Sequence, residues 1–75
     1  MSFIICKEKD GNTEYVNNAK FPTVESAKKA LKEIARDLKA EMKFHEGTEF
    51  GGEPAIWAEY VQTADGTEYF VCSES

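Results

Sequence analysis

One amphipathic segment constrains the fold of this chain more than any other feature. Apolar residues recur there at intervals of three and four, namely Val24, Ala27, Leu31, Ile34, Leu38 and Met42. This spacing places them on one face of an α-helix. Thr23 follows Pro22 and can cap the free amides of the first turn, and Gly47 is the first glycine after the segment. The sequence therefore predicts one long helix over about 23–44.

The rest of the chain predicts strands joined by turns. Four segments rich in β-branched and aromatic residues predict strands over about 2–9, 12–17, 55–63 and 67–72. Asp10-Gly11 separates the first two, and this pair suits a type I′ hairpin turn because both central positions need positive φ. The segment 46–54 contains three glycines and a proline, so it predicts an acidic loop, with Phe50 as an apolar plug.

These elements predict an α+β fold in the order ββαββ, with one four-stranded sheet packed on one helix. If the first and last strands pair in parallel at the centre, the strand order is 2-1-4-3. This layout resembles the β-grasp arrangement of small immunoglobulin-binding domains. The resemblance is one of layout, and a fold by itself assigns no function. In this layout Cys6 and Cys72 are near neighbours on the central strands.

Length and composition predict a single folded domain. Seventy-five residues can bury one small core, and the apolar fraction of 41% and charged fraction of 31% are typical of globular proteins. The last residues, 73–75, are expected to be frayed. The apolar run at the N-terminus is too short for a secretory signal or a membrane span. We therefore predict a cytoplasmic protein.

Charge is unevenly distributed along the chain. Through Lys43 there are nine Lys or Arg and seven Asp or Glu, whereas the remaining residues include seven Asp or Glu and no Lys or Arg. On the predicted helix, basic residues fall within an arc of about 80°. This basic row comprises Lys28, Lys32, Arg36, Lys39 and Lys43. It is either a contact surface for nucleic acid or an acidic partner, or a solvated face supported by ion pairs, which we favour.

No residue set predicts an enzyme, a metal site or a cofactor site. His45 has no second histidine at metal-ligand spacing, and Gly51-Gly52 lacks the Lys-Ser/Thr of a phosphate-binding loop. Cys6 and Cys72 are expected to be reduced, buried thiols, with a disulfide as the less favoured alternative. Nucleic acid is disfavoured as a partner because the aromatic residues lie in the acidic part of the chain.

The sheet face away from the helix is the best candidate for an interaction surface. Both alternating sets of residues in the third and fourth strands contain apolar side chains, so the pattern does not decide which set faces the helix. One assignment exposes a patch for protein binding, and the reverse assignment stays open. The patch comprises Trp57, Glu59, Val61, Tyr69 and Val71.

The sequence thus predicts a small acidic, non-enzymatic protein-interaction module. It would dock its sheet face or its acidic hairpin on a protein partner or on a second copy of itself. Phage-type inhibitors and bacterial accessory proteins are examples of this class. The alternative is a nucleic-acid-binding protein that uses the basic row of the helix.

Overall fold

The structure, a computed structural model, describes residues 2–16, 19–45, 49–50 and 52–74. Within these residues the chain forms one helix and a five-stranded antiparallel sheet with the order β2-β1-β7-β6-β3, and β4 and β5 form a separate two-stranded hairpin. The elements are β1 (Ser2–Lys9), β2 (Asn12–Tyr15), α1 (Val24–Leu38), β3 (Glu41–Phe44), β4 (Glu49–Phe50), β5 (Glu53–Pro54), β6 (Glu59–Gln62) and β7 (Glu68–Glu74). The α+β class and the packing of the helix on the sheet are as predicted.

The first hairpin forms as its turn residues predict. Asp10 and Gly11 both have positive φ, 53° and 84°, and Lys9 lies directly opposite Asn12. Glycine reaches this region without steric cost and aspartate reaches it more easily than most residues, which explains why this pair closes the turn. Strand β2 ends at Tyr15, and residue 17 of the predicted strand lies outside the described residues.

The helix begins at the predicted cap. Thr23 is the N-cap, and its hydroxyl accepts a hydrogen bond from the Ser26 backbone N–H at 3.1 Å. The Ser26 hydroxyl in turn accepts one from the Thr23 N–H at 3.3 Å. These two bonds satisfy amides that the first turn would otherwise leave without partners. One face of the helix then buries Ala27, Leu31 and Ala35 against the sheet.

The predicted helix 23–44 is wrong at its C-terminal end. The helix ends at Leu38, and Lys39 adopts the left-handed conformation with φ 53° and ψ 38°. The Ala40 N–H donates to the Ala35 carbonyl at 2.9 Å, the bond of a Schellman motif. The next residues form β3, in which Met42 lies opposite Val61 of β6. Met42 fits both a helical repeat and a strand alternation, and the pairing with β6 decides between them.

The left-handed residue at the helix end gives the first testable prediction. We expect Lys39→Gly to raise the free energy of unfolding by about 0.5–1 kcal/mol, because glycine avoids the steric cost of this conformation. The matched control, Lys32→Gly in the helix interior, is expected to lower it by about 1 kcal/mol. Urea unfolding measures both. Destabilisation by both substitutions would contradict a helix that ends at residue 38.

The central strands pair in the opposite sense to the prediction. Strands β1 and β7 are antiparallel, with Ile5 opposite Val71, so the predicted parallel pairing of the β-grasp layout is wrong. The predicted neighbour order 2-1-4-3 is retained as β2-β1-β7-β6, and β3 extends it at the edge beside β6. The additional strand β3 accounts for the difference. It reverses the chain direction once more than the predicted ββαββ order does, giving ββαβββ in the main sheet.

Three further predicted boundaries are corrected. The predicted strand 55–63 is shortened to Glu59–Gln62, because residues 55–58 form a turn in which the Ala58 N–H donates to the Ala55 carbonyl at 3.0 Å. Strand β7 continues to Glu74, so Ser73 is paired with Phe3 rather than frayed. In the predicted loop 46–54, Glu49–Phe50 pairs with Glu53–Pro54. The predicted packing of the Phe50 side chain lies outside what the structure describes.

Candidate functional site

The predicted exposed patch lies largely on the wrong side of the sheet. Val61 and Val71 are fully buried in the core under the helix, and Tyr69 packs against the same core. Glu59 lies on this side of β6 too, since successive strand residues alternate between faces. The reverse assignment is therefore correct. Of the five predicted residues, Trp57 is exposed, with 43% of its surface accessible.

The face away from the helix, which we call the open face, carries the other alternating set. Cross-strand pairing places Cys6 opposite Phe70, Phe70 opposite Tyr60, and Tyr60 opposite Lys43, so one row of side chains crosses four strands. A cavity of about 320 Å³ opens on this face. It is lined by Glu8, His45, Trp57, Tyr60, Glu68, Phe70 and Cys72.

Aromatic rings form one end of this cavity. His45 follows β3, and its backbone N–H donates to the Ala58 carbonyl at 2.8 Å. The imidazole stacks on the Tyr60 ring, with a centroid distance of 4.1 Å and an interplanar angle of 16°. The Trp57 indole lies 6.3 Å from the same imidazole at 56°. The turn before β6 and the end of β3 thus bring together three rings that are separated in sequence.

Two carboxylates form the other end of the cavity. Glu8 of β1 and Glu68 of β7 lie directly opposite each other in the antiparallel register. The His45 Nε2 atom is 4.0 Å from the Glu68 Oε1 atom. Among the described residues, no Lys or Arg forms an ion pair with either carboxylate. Opposed like charges destabilise a sheet, so this end of the cavity favours an additional cation.

The two cysteines lie side by side on the open face. Both are free thiols, Cys6 buried and Cys72 partly buried. Burial, with a smaller contribution from the hydrogen bond with Cys6, raises the pKa of Cys72 to about 12. A thiol with so high a pKa stays protonated near neutral pH, whereas nucleophilic catalysis requires the thiolate. The arrangement therefore favours a packing role for Cys72.

We expect folded Cys72 to react slowly with iodoacetamide. At pH 7.5 its rate of alkylation should be at least about tenfold lower than in urea, because the thiolate fraction falls with the rise in pKa. Site-resolved mass spectrometry gives both rates, and the urea-unfolded protein is the control. Equal rates in the folded and unfolded states would contradict the protonated, buried thiol.

The raised pKa of Cys72 also sets a direction for stability against pH. The folded-state pKa, about 12, is above the ordinary value of 9.0. The contribution of this thiol to stability is therefore fully present below pH 9, and it is lost as the pH rises through the folded-state value.

The predicted basic row does not form one surface. Lys28, Lys32 and Arg36 lie on α1, but Lys39 follows the end of the helix. Lys43 lies on β3 and faces the open side, where its ammonium donates to the Gln62 Oε1 atom at 2.6 Å. Three of the five residues of the basic row therefore lie on the helix.

A second cavity, of about 450 Å³, lies where the two hairpin turns meet. It contains charges of both signs that already pair with each other, Lys7 with Glu14 at 3.8 Å and Lys9 with Asp65 at 3.2 Å. Hydrogen bonds from the Thr63 hydroxyl and the Thr67 backbone N–H hold the pKa of Asp65 well below its usual range. These internal pairs make the second cavity a structural feature of the turns.

The signals for the observed cavity were incomplete in the sequence. The sequence pattern correctly predicts an exposed Trp57. It places Tyr60 and Phe70 on the helix side of the sheet, whereas they lie on the open face. Glu8 and Glu68 gave no local signal, because their proximity depends on the register of β1 and β7.

Within the described residues, no group of three His, Cys, Asp or Glu side chains is arranged to hold a metal ion. No helix in that part of the chain has the length and apolar character needed to cross a membrane. Comparison with protein-family models, curated proteins and solved structures found no match.

Proposed function

We propose that this protein is a non-enzymatic interaction module that binds a partner protein through its open face. The observation that carries this proposal is the cavity in which the rings of His45, Trp57 and Tyr60 lie together and remain partly accessible. Aromatic side chains bury large areas with little loss of conformational freedom, and they dominate the energetics of many protein interfaces.

The position of the charges favours a protein partner over nucleic acid. Glu8 and Glu68 border the same cavity as the aromatic rings, so a phosphate backbone would be repelled where bases would have to stack. The four cations of α1 lie on the element that packs against the other face of the sheet. A single bound nucleic acid strand would therefore not contact the rings and these cations together.

A binding experiment with open-face variants tests the proposal. The tagged full chain is used to capture partners from native lysate, and the captured proteins are quantified for wild type, Tyr60→Ala and Trp57→Ala. We expect a captured protein whose recovery falls at least about tenfold with Tyr60→Ala, since aromatic hot spots typically contribute 2 kcal/mol or more. Leu38→Ala is the matched control, because Leu38 is exposed on the helix, away from the cavity.

Retention of every captured protein by Tyr60→Ala and Trp57→Ala would contradict binding through the open face. Loss with Leu38→Ala instead would move the interface to the helix end. Light scattering of wild type at high micromolar concentration tests the version in which the partner is a second copy. If the partner is a second copy, wild type is expected to be a dimer in this measurement and Tyr60→Ala a monomer.

A further inference from the structure

We propose that the open-face cavity binds an arginine side chain from a basic segment of the partner protein. The guanidinium would lie against the aromatic end of the cavity and pair with the carboxylates of Glu8 and Glu68 at the other end. This inference rests on the proposed function and specifies the chemistry that the partner must present.

The two carboxylates supply the first argument. Glu8 and Glu68 are direct cross-strand neighbours on the open face, and both are partly buried. In a sheet, opposed like charges repel, and a cation placed between them converts that repulsion into attraction. Partial burial strengthens this effect because the carboxylates are less screened by water than fully exposed ones. The sheet therefore presents a site for positive charge that its own Lys and Arg residues do not fill.

The cations of this chain that lie nearest are already placed elsewhere. Lys43 faces the same side, but its ammonium is held 2.6 Å from the Gln62 Oε1 atom. Lys7 and Lys9 flank Glu8 in β1, and they pair with Glu14 at 3.8 Å and with Asp65 at 3.2 Å. The imidazole of His45 lies near Glu68 and at the same time stacks on Tyr60, so it forms part of the cavity wall. We therefore place the guanidinium between the carboxylates of Glu8 and Glu68 and the aromatic rings that line the same cavity.

The aromatic wall selects arginine among the cationic side chains. A guanidinium is planar, stacks on aromatic faces and donates two parallel hydrogen bonds to a carboxylate. The accessible indole of Trp57 is the best side chain for cation–π contact. A lysine ammonium is a point charge, which neither stacks on a ring nor matches the two oxygens of a carboxylate with two parallel hydrogen bonds. The rings therefore match the flat face of a guanidinium, and the neighbouring carboxylates match its N–H donors.

The size of the cavity and the net charge of the chain both favour a basic peptide segment as the ligand. A cavity of about 320 Å³ lies at the lower end of the range for ligand pockets, which suits one inserted side chain rather than a packed helix. The net charge of −5 attracts a basic partner over distance. A second copy of this chain is disfavoured as the donor, because it carries the same negative net charge.

The test is a titration of the ¹⁵N-labelled full chain with the blocked peptide acetyl-Gly-Arg-Gly-Arg-Gly-amide, followed by NMR. We expect saturable shifts of the Trp57 indole N–H and of the backbone amides around Glu68. Three further arms use peptides with citrulline or lysine in place of arginine, and the Glu68→Gln variant. Citrulline keeps the shape of arginine without its charge, and we expect it to bind at least tenfold more weakly. We expect lysine to bind at least threefold more weakly.

Matched glutamate variants separate local contacts from net charge. Glu68→Gln and Glu33→Gln each remove one negative charge, but Glu33 lies on the solvent side of the helix. We expect at least fivefold weaker binding for Glu68→Gln and less than twofold for Glu33→Gln. Both substitutions keep side-chain shape, and unchanged amide spectra elsewhere show that the variants are folded.

Several outcomes would overturn the inference. These are no shifts at millimolar peptide, equal binding of the citrulline or lysine peptide, shifts that map away from the cavity, or equal losses for Glu68→Gln and Glu33→Gln. If these occur while Tyr60→Ala still abolishes capture of a partner, the open face remains the interface and the arginine assignment alone fails. If Tyr60→Ala leaves all partners bound, the proposed function fails as well.

Discussion

Replacing Leu31 with alanine is expected to lower the free energy of unfolding by about 2–5 kcal/mol, as buried leucine-to-alanine substitutions do. Leu31 is fully buried at the centre of the helix face that packs on the sheet. The substitution removes apolar contacts and leaves a cavity that the surrounding β-sheet can fill only in part. For a domain of this size, whose whole stability is about 4–11 kcal/mol, such a loss is a large fraction.

Leu38→Ala is the control for this substitution. It makes the same chemical change in the same helix, but Leu38 is 47% exposed at the helix end. We expect it to cost less than about 1 kcal/mol, since little burial is lost. Urea denaturation measures both changes in the free energy of unfolding, provided that its dependence on urea concentration is the same for wild type and variants. Equal effects of the two substitutions would mean that the helix does not bury Leu31 as described.

Val71→Asp is expected to have a larger effect and to leave little folded protein. Val71 is fully buried between Ile5 of β1 and the helix. Its replacement places a carboxylate without a partner in the core, with an expected cost of at least about 4 kcal/mol in addition to the lost apolar burial. Circular dichroism and amide spectra at 25 °C measure the loss.

Ser73→Asp serves as the control because it adds the same charge to the same strand at an exposed position. We expect it to remain folded. The comparison also tests which face of the sheet the helix covers. A folded Val71→Asp protein would support the original assignment of Val71 to the exposed face, and it would contradict the core described above.

Features that depend on near neighbours in the chain were predictable. The pair Asp10-Gly11 predicted a tight hairpin because few residues tolerate positive φ, and Thr23 predicted the helix start because its hydroxyl can bond the amides of the first turn. Both appear in the structure. The buried helix face was predictable for the same reason, since its apolar repeat has the period of a helix.

The candidate site was harder to predict, because β6 and β7 carry apolar residues on both faces. Tyr60 and Phe70 alternate with Val61 and Val71, so burial of either set satisfied the pattern. The observed arrangement buries the valines under the helix and leaves the rings on the open face. Aromatic rings that remain accessible there, beside Glu8, carry the functional proposal.

The sequence by itself determined the α+β class, the first hairpin, the start of the helix and its buried face, because each depends on residues within a few positions of one another. The tertiary structure decided the end of the helix, the extra strand and the antiparallel direction of the central pair. Met42 suited both a helix and a strand, and its pairing with Val61 selected the strand. That strand reversed the direction of the remaining chain and brought Glu68 opposite Glu8. The site therefore arises from long-range pairing, whose free energy depends on contacts between distant segments.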